Sequence, residues 1–350
     1  MISFKDSQYW FPRVKRVQVE HLLHHFIVNT STSLASSDDV SQAVWPSATP
    51  QLVTSHPFVL NAVLAISSLH ISRSTQDKSG KQSQLSVAAS QLNGGLSQYQ
   101  DALQVMSESN VDALFAFSTI LTAYILATAG DDCLNALNSI KRSGREVATK
   151  EAVRQIVRIL SCLRGTKVIV VPCWELIIKG LLSVIAKRDW WPLSRFPATA
   201  QAIEEDEKLH ALEKMWINPG RRYEYYFDTL ELNLKSLRES FALVSQLTDT
   251  ATGTISDWVS AVVWPIQLST GFISSLESFL PEAWVILSHY AILPSRIQSI
   301  WWLESIASNI IKTAALVLGE DKWSMIEWPA SIVGVDLDQL RSSDSTLERG

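Results

Sequence analysis

The stretch from Phe279 to Pro329 constrains the fold most. Ala283, Ile286, Leu287 and Tyr290 recur at i, i+3, i+4 and i+7, one face of a helix. Pro281 suits a first helical turn, where its missing N–H costs nothing. Pro294 is expected to stop that helix, and Ser295 with Gln298 fits a capping box for the next. Ile300, Leu303, Ala307, Ile310, Ile311, Ala314 and Leu318 then carry a wide apolar stripe up to Gly319, a candidate C-terminal cap. Two packed helices closed by Trp328-Pro329 are predicted.

Helical periods continue through the chain. They predict helices at Val17–Val28, 57–73, 85–106, 172–186, 199–216 and 222–247, with an apolar one following Asn110. Asn110 is read as its N-cap and Gly130 as its end. Residues 29–42 and 74–84 read as loop or linker. Gly94-Gly95 should weaken or bend the helix around them. Val168–Val171 has strand propensity, but an extended approach to Pro172 is preferred. Four Trp-Pro pairs, at Trp45, Trp191, Trp264 and Trp328, are unequally spaced and each is expected at a helix boundary. About ten helices without a βαβ rhythm make the chain all-α. The expected organisation is an irregular lead at 1–14, one large helical domain at 15–335, and a disordered tail at 336–350.

Composition narrows the function classes. Apolar residues are 47% of the chain, enough for a substantial core, and the formal charge of −5 argues against gripping nucleic acid over the whole surface. The 13 Trp should line the core or a pocket, because each buried indole wants a partner for its N–H. Cys133, Cys162 and Cys173 are too few for a disulfide framework and lack paired zinc spacing. No secretory signal is read at the start. Ala113–Ala129 is 17 residues without a charge, and it is read as a buried helix rather than a membrane span.

Several motifs are long and ordered. They are His21-Leu-Leu-His-His-Phe26, His56-Pro-Phe-Val-Leu-Asn-Ala-Val-Leu-Ala-Ile-Ser-Ser-Leu-His70, Ala113-Leu-Phe-Ala-Phe-Ser118, Pro281-Glu-Ala-Trp-Val-Ile-Leu-Ser-His-Tyr-Ala-Ile-Leu293, Trp301-Trp-Leu-Glu304 and the closing Trp323 to Trp328-Pro329. In this order they resemble the regulatory domain of fungal sterol-uptake-control-type transcription regulators. Those belong to the wider group of fungal zinc binuclear-cluster regulators. The resemblance covers roughly residues 15–330. It implies a single large all-α regulatory domain of fungal transcription-factor type, acting in the nucleus with a cytoplasmic pool allowed. It also implies a sterol-like hydrophobic ligand in the C-terminal half, and other transcription factors or chaperones as partners. The family's six-cysteine DNA-binding cluster is not in this sequence. DNA would be reached only indirectly, or through a cluster that the sequence as given has lost. The rival expectation is an accessory co-regulator of a fungal secondary-metabolite gene cluster, working through protein partners.

The residues themselves offer little catalytic chemistry. No nucleophile elbow, phosphate loop, dinucleotide fingerprint or His-Glu-x-x-His is present. A non-enzyme without a cofactor or metal is expected. His21, His24 and His25 share a helical face but lack a fourth ligand, so packing accounts for them. Phe115, Phe117, Tyr124, Trp264, His289, Tyr290, Trp301 and Trp302 are the candidate ligand-pocket residues, though helical spacing fits plain core equally. Lys150, Arg154 and Arg158 form one basic stripe, read as a solvated face.

Overall fold

Local chemistry sets the elements one by one. The structure, a computed structural model, describes residues 16–218, 222–249, 251–255, 257–297 and 300–342. The predicted lead at 1–14, the capping role of Gln298 and the tail from 343 lie outside these residues. Among the described residues all regular elements are helices, with one isolated antiparallel bridge between Thr248 and Ile255. The chain forms two compact units where the sequence suggested one. The first is Met1–Tyr124 with Thr166–Asp189; the second is Ile125–Gly165 with Trp190–Gly350.

The first unit begins with α1 (Arg16–His25), α2 (Asp39–Ser55), α3 (Pro57–Ser74) and α4 (Lys78–Leu103). α5 (Val111–Asn138) starts in the first unit and ends in the second. α6 (Ile140–Ser143) and α7 (Arg145–Gly165) belong to the second unit; α8 (Lys167–Ile177) and α9 (Ser183–Lys187) belong to the first. The second unit resumes with α10 (Ala200–His210), α11 (Lys214–Ile217), α12 (Phe227–Gln246), α13 (Val259–Gln267), α14 (Thr270–Glu277) and α15 (Pro281–Tyr290). It ends with α16 (Ile292–Ser295), α17 (Ile306–Leu318), α18 (Glu327–Val333) and α19 (Leu337–Ser342).

In the first unit α3 is the centre, with every residue from Phe58 to Leu69 buried. α4 packs against it, and this settles the glycine pair. A Cβ on Gly95 would lie 2.9 Å from Asn61 Cβ and 3.0 Å from the Phe58 carbonyl, whereas Gly94 is exposed with its nearest neighbour 3.8 Å away. Gly95 is where the two backbones approach, and α4 continues through it. Gly94→Ala should therefore raise stability by up to about 1 kcal/mol through helix propensity. Gly95→Ala should lower it by about 1–3 kcal/mol through overpacking. Thermal unfolding of both variants checks the contrast; two gains would show that close packing does not account for Gly95.

Other expectations are corrected by tertiary contacts. The Ser/Thr-rich stretch after Val28 is a loop only at 35–38: a π-helix, Phe26–Thr30, and a 3₁₀-helix, Ser31–Leu34, precede it, and Thr30, Ser31, Ser33 and Ser36 are buried. Ser31 Oγ donates to the Ile27 carbonyl and Ser33 Oγ to the Thr30 carbonyl, while Gln42 Nε2 donates to the Ser36 carbonyl at 2.7 Å. The supposed linker 74–84 is mostly helix, because Asp77 accepts from the Gly80 N–H and caps α4. Asn110 closes the turn after α4 instead of capping α5: its Oδ1 accepts from Ser107 N and its Nδ2 donates to the Val105 carbonyl. Val168–Val171 is helical, with Pro172 inside α8 on the exposed side, where water can serve the carbonyl it leaves unbonded. Pro46 and Pro50 likewise lie inside α2, held by buried Trp45, whose Nε1 donates to the Leu34 carbonyl.

In the second unit, Gly130 does not end α5. It lies inside the helix, where a Cβ would meet Ser305 Oγ at 2.7 Å and where its carbonyl accepts from Asn309 Nδ2. α5 is long and apolar enough to cross a membrane, and 67% of its most apolar window is buried in the protein. Its Thr119 and Thr122 hydroxyls bond back to the carbonyls of Phe115 and Ser118. Pro265 precedes an 88° bend between α13 and α14. Asn233 braces that bend: its Nδ2 donates to Ser269 Oγ, its Oδ1 accepts from Ser269 N, and its carbonyl accepts from Trp264 Nε1 at 2.9 Å. The acidic run of α10 is not wholly exposed, since Glu205 is buried and paired with Arg296. Residues 337–342, expected to be disordered, form α19, with Asp336 Oδ1 accepting from Asp338 N before it.

Candidate functional site

The eight candidate pocket residues separate into two groups. Phe115, Phe117 and Tyr124 lie in the first unit, and the other five lie in the second. Phe117 stacks on Tyr99 at 4.2 Å and meets Phe58 edge-on at 5.7 Å, so it serves an aromatic core. Tyr124 is buried and Phe115 half-buried.

In the second unit, Trp264 and Tyr290 pack 4.9 Å apart, with Phe272 at 5.6 Å from the indole. Trp302 meets Trp258 edge-on at 4.7 Å, and Trp301 is half-buried. His289 points elsewhere. Its Nδ1 lies 2.8 Å from the Val285 carbonyl, one turn back, and its ring packs 5.4 Å from Trp328. Lys208 Nζ sits 4.8 Å from the Trp328 ring. Burial pushes the His289 imidazole down to about 4, against the pull of that carbonyl. Burial also drives the Tyr290 phenol upward. Consecutive residues on a helix point about 100° apart, so His289 and Tyr290 face different surroundings.

Of the eight, Tyr290 lines an apolar cavity with Leu126 of α5, Ile156, Ile159, Leu160 and Leu163 of α7, Val262 of α13, and Leu303, Ile306 and Ile310. The space open to the centre of a water molecule is ≈ 10 Å³, about one water's worth. A drug-sized ligand needs roughly 300–1,000 Å³. The space beside Tyr290 is therefore closed to a molecule of that size unless these helices separate. The α7 lining repeats at i, i+3, i+4 and i+7, a signal in the sequence that the basic stripe on the same helix obscured.

That basic stripe is neutralised. Lys150 pairs with Glu146 at 2.5 Å, Arg154 with Glu151 at 2.7 Å, and Arg158 with Asp132 at 3.8 Å. In the first unit His25 packs edge-on to His70 at 5.1 Å, and His70 Nδ1 lies 3.0 Å from Thr30 Oγ1. Among the described residues no three His, Cys, Asp or Glu gather as metal ligands. Cys133 is buried beside Thr313, and burial pushes its thiol up to about 11.

Residues 21–138 match the family described as the fungal specific transcription factor domain. A Zn(2)-C6 fungal-type transcription factor of Gibberella zeae is 21% identical over 351 residues, covering 95% of this chain and 65% of its own length. Sterol uptake control protein 2 of Saccharomyces cerevisiae is 28% identical over 123 residues, 33% of this chain and 13% of that protein. The chain thus spans less than two thirds of either relative. The similarity is therefore to fungal transcription factors: a factor domain over 21–138 and, at low identity, a zinc-cluster factor along most of the chain.

Proposed function

We propose that this chain is the effector-sensing regulatory part of a transcription regulator acting in the nucleus. One observation carries the reading: the transcription factor domain at 21–138, set within an alignment to a zinc-cluster factor along 95% of the chain. The effector is a hydrophobic, sterol-like molecule, a reading that rests on the 28% identity to a protein named for sterol uptake control. Because the apolar interior beside Tyr290 is closed, binding selects an open minor state. The apparent affinity is then reduced by the fraction of molecules that are open. The ligand shifts activity only through its different affinity for the two states.

The second reading is a co-regulator of a metabolite gene cluster that works through protein partners, among them other transcription factors or chaperones. The exposed apolar side chains Val168, Val171 and Trp174 on α8 favour it. One experiment separates the two. Purified chain is titrated with ergosterol and, in parallel, used as bait in a nuclear extract. Saturable binding at micromolar sterol is expected. A flat titration, with a zinc-cluster protein recovered on the bait, would replace sensing with partnering.

A further inference from the structure

A second, open recess lies in the second unit on the outer side of α17, with a volume of ≈ 480 Å³. That is within the range of small-molecule sites. Ser308, Lys312 and Leu316 recur at i, i+4 and i+8, so one face of α17 forms its floor. Leu137 at the end of α5 and Lys141 on α6 form one wall. The opposite wall is the turn from α18 into α19, with Val333, Val335 and Leu340 facing the recess.

That second wall is built by local chemistry. Gly334 takes a left-handed conformation (φ 79°, ψ 28°), and Val335 N donates to the Ala330 carbonyl at 2.9 Å, a Schellman-type closure. Asp336 then holds the start of α19 through Asp338 N. Among the described residues neither Lys141 nor Lys312 has an ion pair. Asp336, the single carboxylate of the lining, accepts from Asp338 N in that turn and keeps its charge, so the lining carries two positive groups against one negative. The recess therefore combines apolar side chains from three elements with two ammonium groups and a surplus of positive charge.

We propose that this recess binds an apolar small molecule bearing a carboxylate, its hydrocarbon part against Leu137, Leu316, Val333 and Leu340 and its charge between Lys141 and Lys312. Charge complementarity selects the anion, since an alcohol of the same length would not meet the net positive charge of the lining. The site is separate from the closed interior and needs no opening of it. α17 carries both: Ile306 and Ile310 line the inner cavity, and Ser308, Lys312 and Leu316 line the recess.

The probe is dodecanoate, titrated into the full chain by calorimetry at neutral pH and low salt, with dodecanol as the uncharged partner. Single-site binding of dodecanoate is expected, about tenfold tighter than dodecanol and weakening as salt is raised. Lys141→Gln combined with Lys312→Gln should remove about tenfold of dodecanoate affinity and leave dodecanol unchanged. No binding by the wild type, equal affinity for acid and alcohol, or salt-independent affinity would each overturn the proposal without any variant. A folded double variant that keeps wild-type affinity would do the same. Ergosterol run alongside reports on the inner cavity, so failure at one site is distinguishable from failure at the other.

Discussion

Trp264→Ala should lower the unfolding free energy by about 3–5 kcal/mol. The side chain is 1% exposed, packs against Tyr290 and Phe272, and donates from Nε1 to the Asn233 carbonyl. Deleting it leaves a cavity, removes two aromatic contacts and breaks a buried hydrogen bond to the residue that braces the α13–α14 bend. Trp264→Phe separates these effects: it keeps a ring but loses the N–H bond to a carbonyl that α12 itself still engages, so a loss of roughly 0.5–1.5 kcal/mol is expected. Urea unfolding followed by far-ultraviolet circular dichroism is the right readout, because the substitution also removes a fluorophore. A loss below about 1 kcal/mol for the alanine variant would mean that this cluster does not organise the second unit.

The second large effect is acid lability centred on His289. Its folded value of about 4 lies below the ordinary histidine value of 6.5. The unfolded chain thus binds a proton that the folded chain refuses. The stabilisation is complete above about pH 6.5, declines as pH falls toward 4 and is flat below that, a total of about 3 kcal/mol. His70, held down to about 4 by burial and by the neighbouring His25 and Arg73, adds a smaller share in the same window because it is more open to solvent. Lys208, across the Trp328 ring, is a further positive charge near His289. His289→Gln should flatten the stability profile between pH 6.5 and 4 by nearly one proton of slope. Parallel profiles for wild type and variant would show that His289 titrates normally in the fold.

Much of the architecture is legible in the sequence. Pro57 and Pro281 open helices because a first turn does not need their N–H. Thr199 caps α10 by accepting from Ala202 N, and Gly319 takes positive φ just after α17. The tryptophans lie where an indole finds a buried carbonyl: Trp284 on Leu276 and Trp323 on Ala315 join Trp45 and Trp264. The candidate site was less legible. Helical spacing identifies which aromatics are inward, but whether inward side chains fill a space or line one depends on neighbours distant in the chain. Phe117 is taken up by Tyr99 and Phe58, whereas Tyr290 borders a void set by α5, α7 and α13.

The sequence by itself determined that this chain is helical, where most helices start, and which regulators it resembles, because periodicity and capping act within a few residues. Only the tertiary structure decided that Gly95 and Gly130 are packing points inside helices, and that Pro46 and Pro172 do not break theirs. It alone showed the interior beside Tyr290 to be closed while the recess on the far side of α17 stands open. The reason is physical: a glycine, a proline or a cavity is favourable or costly according to what lies a few ångströms away through space, and those partners come from residues far along the chain.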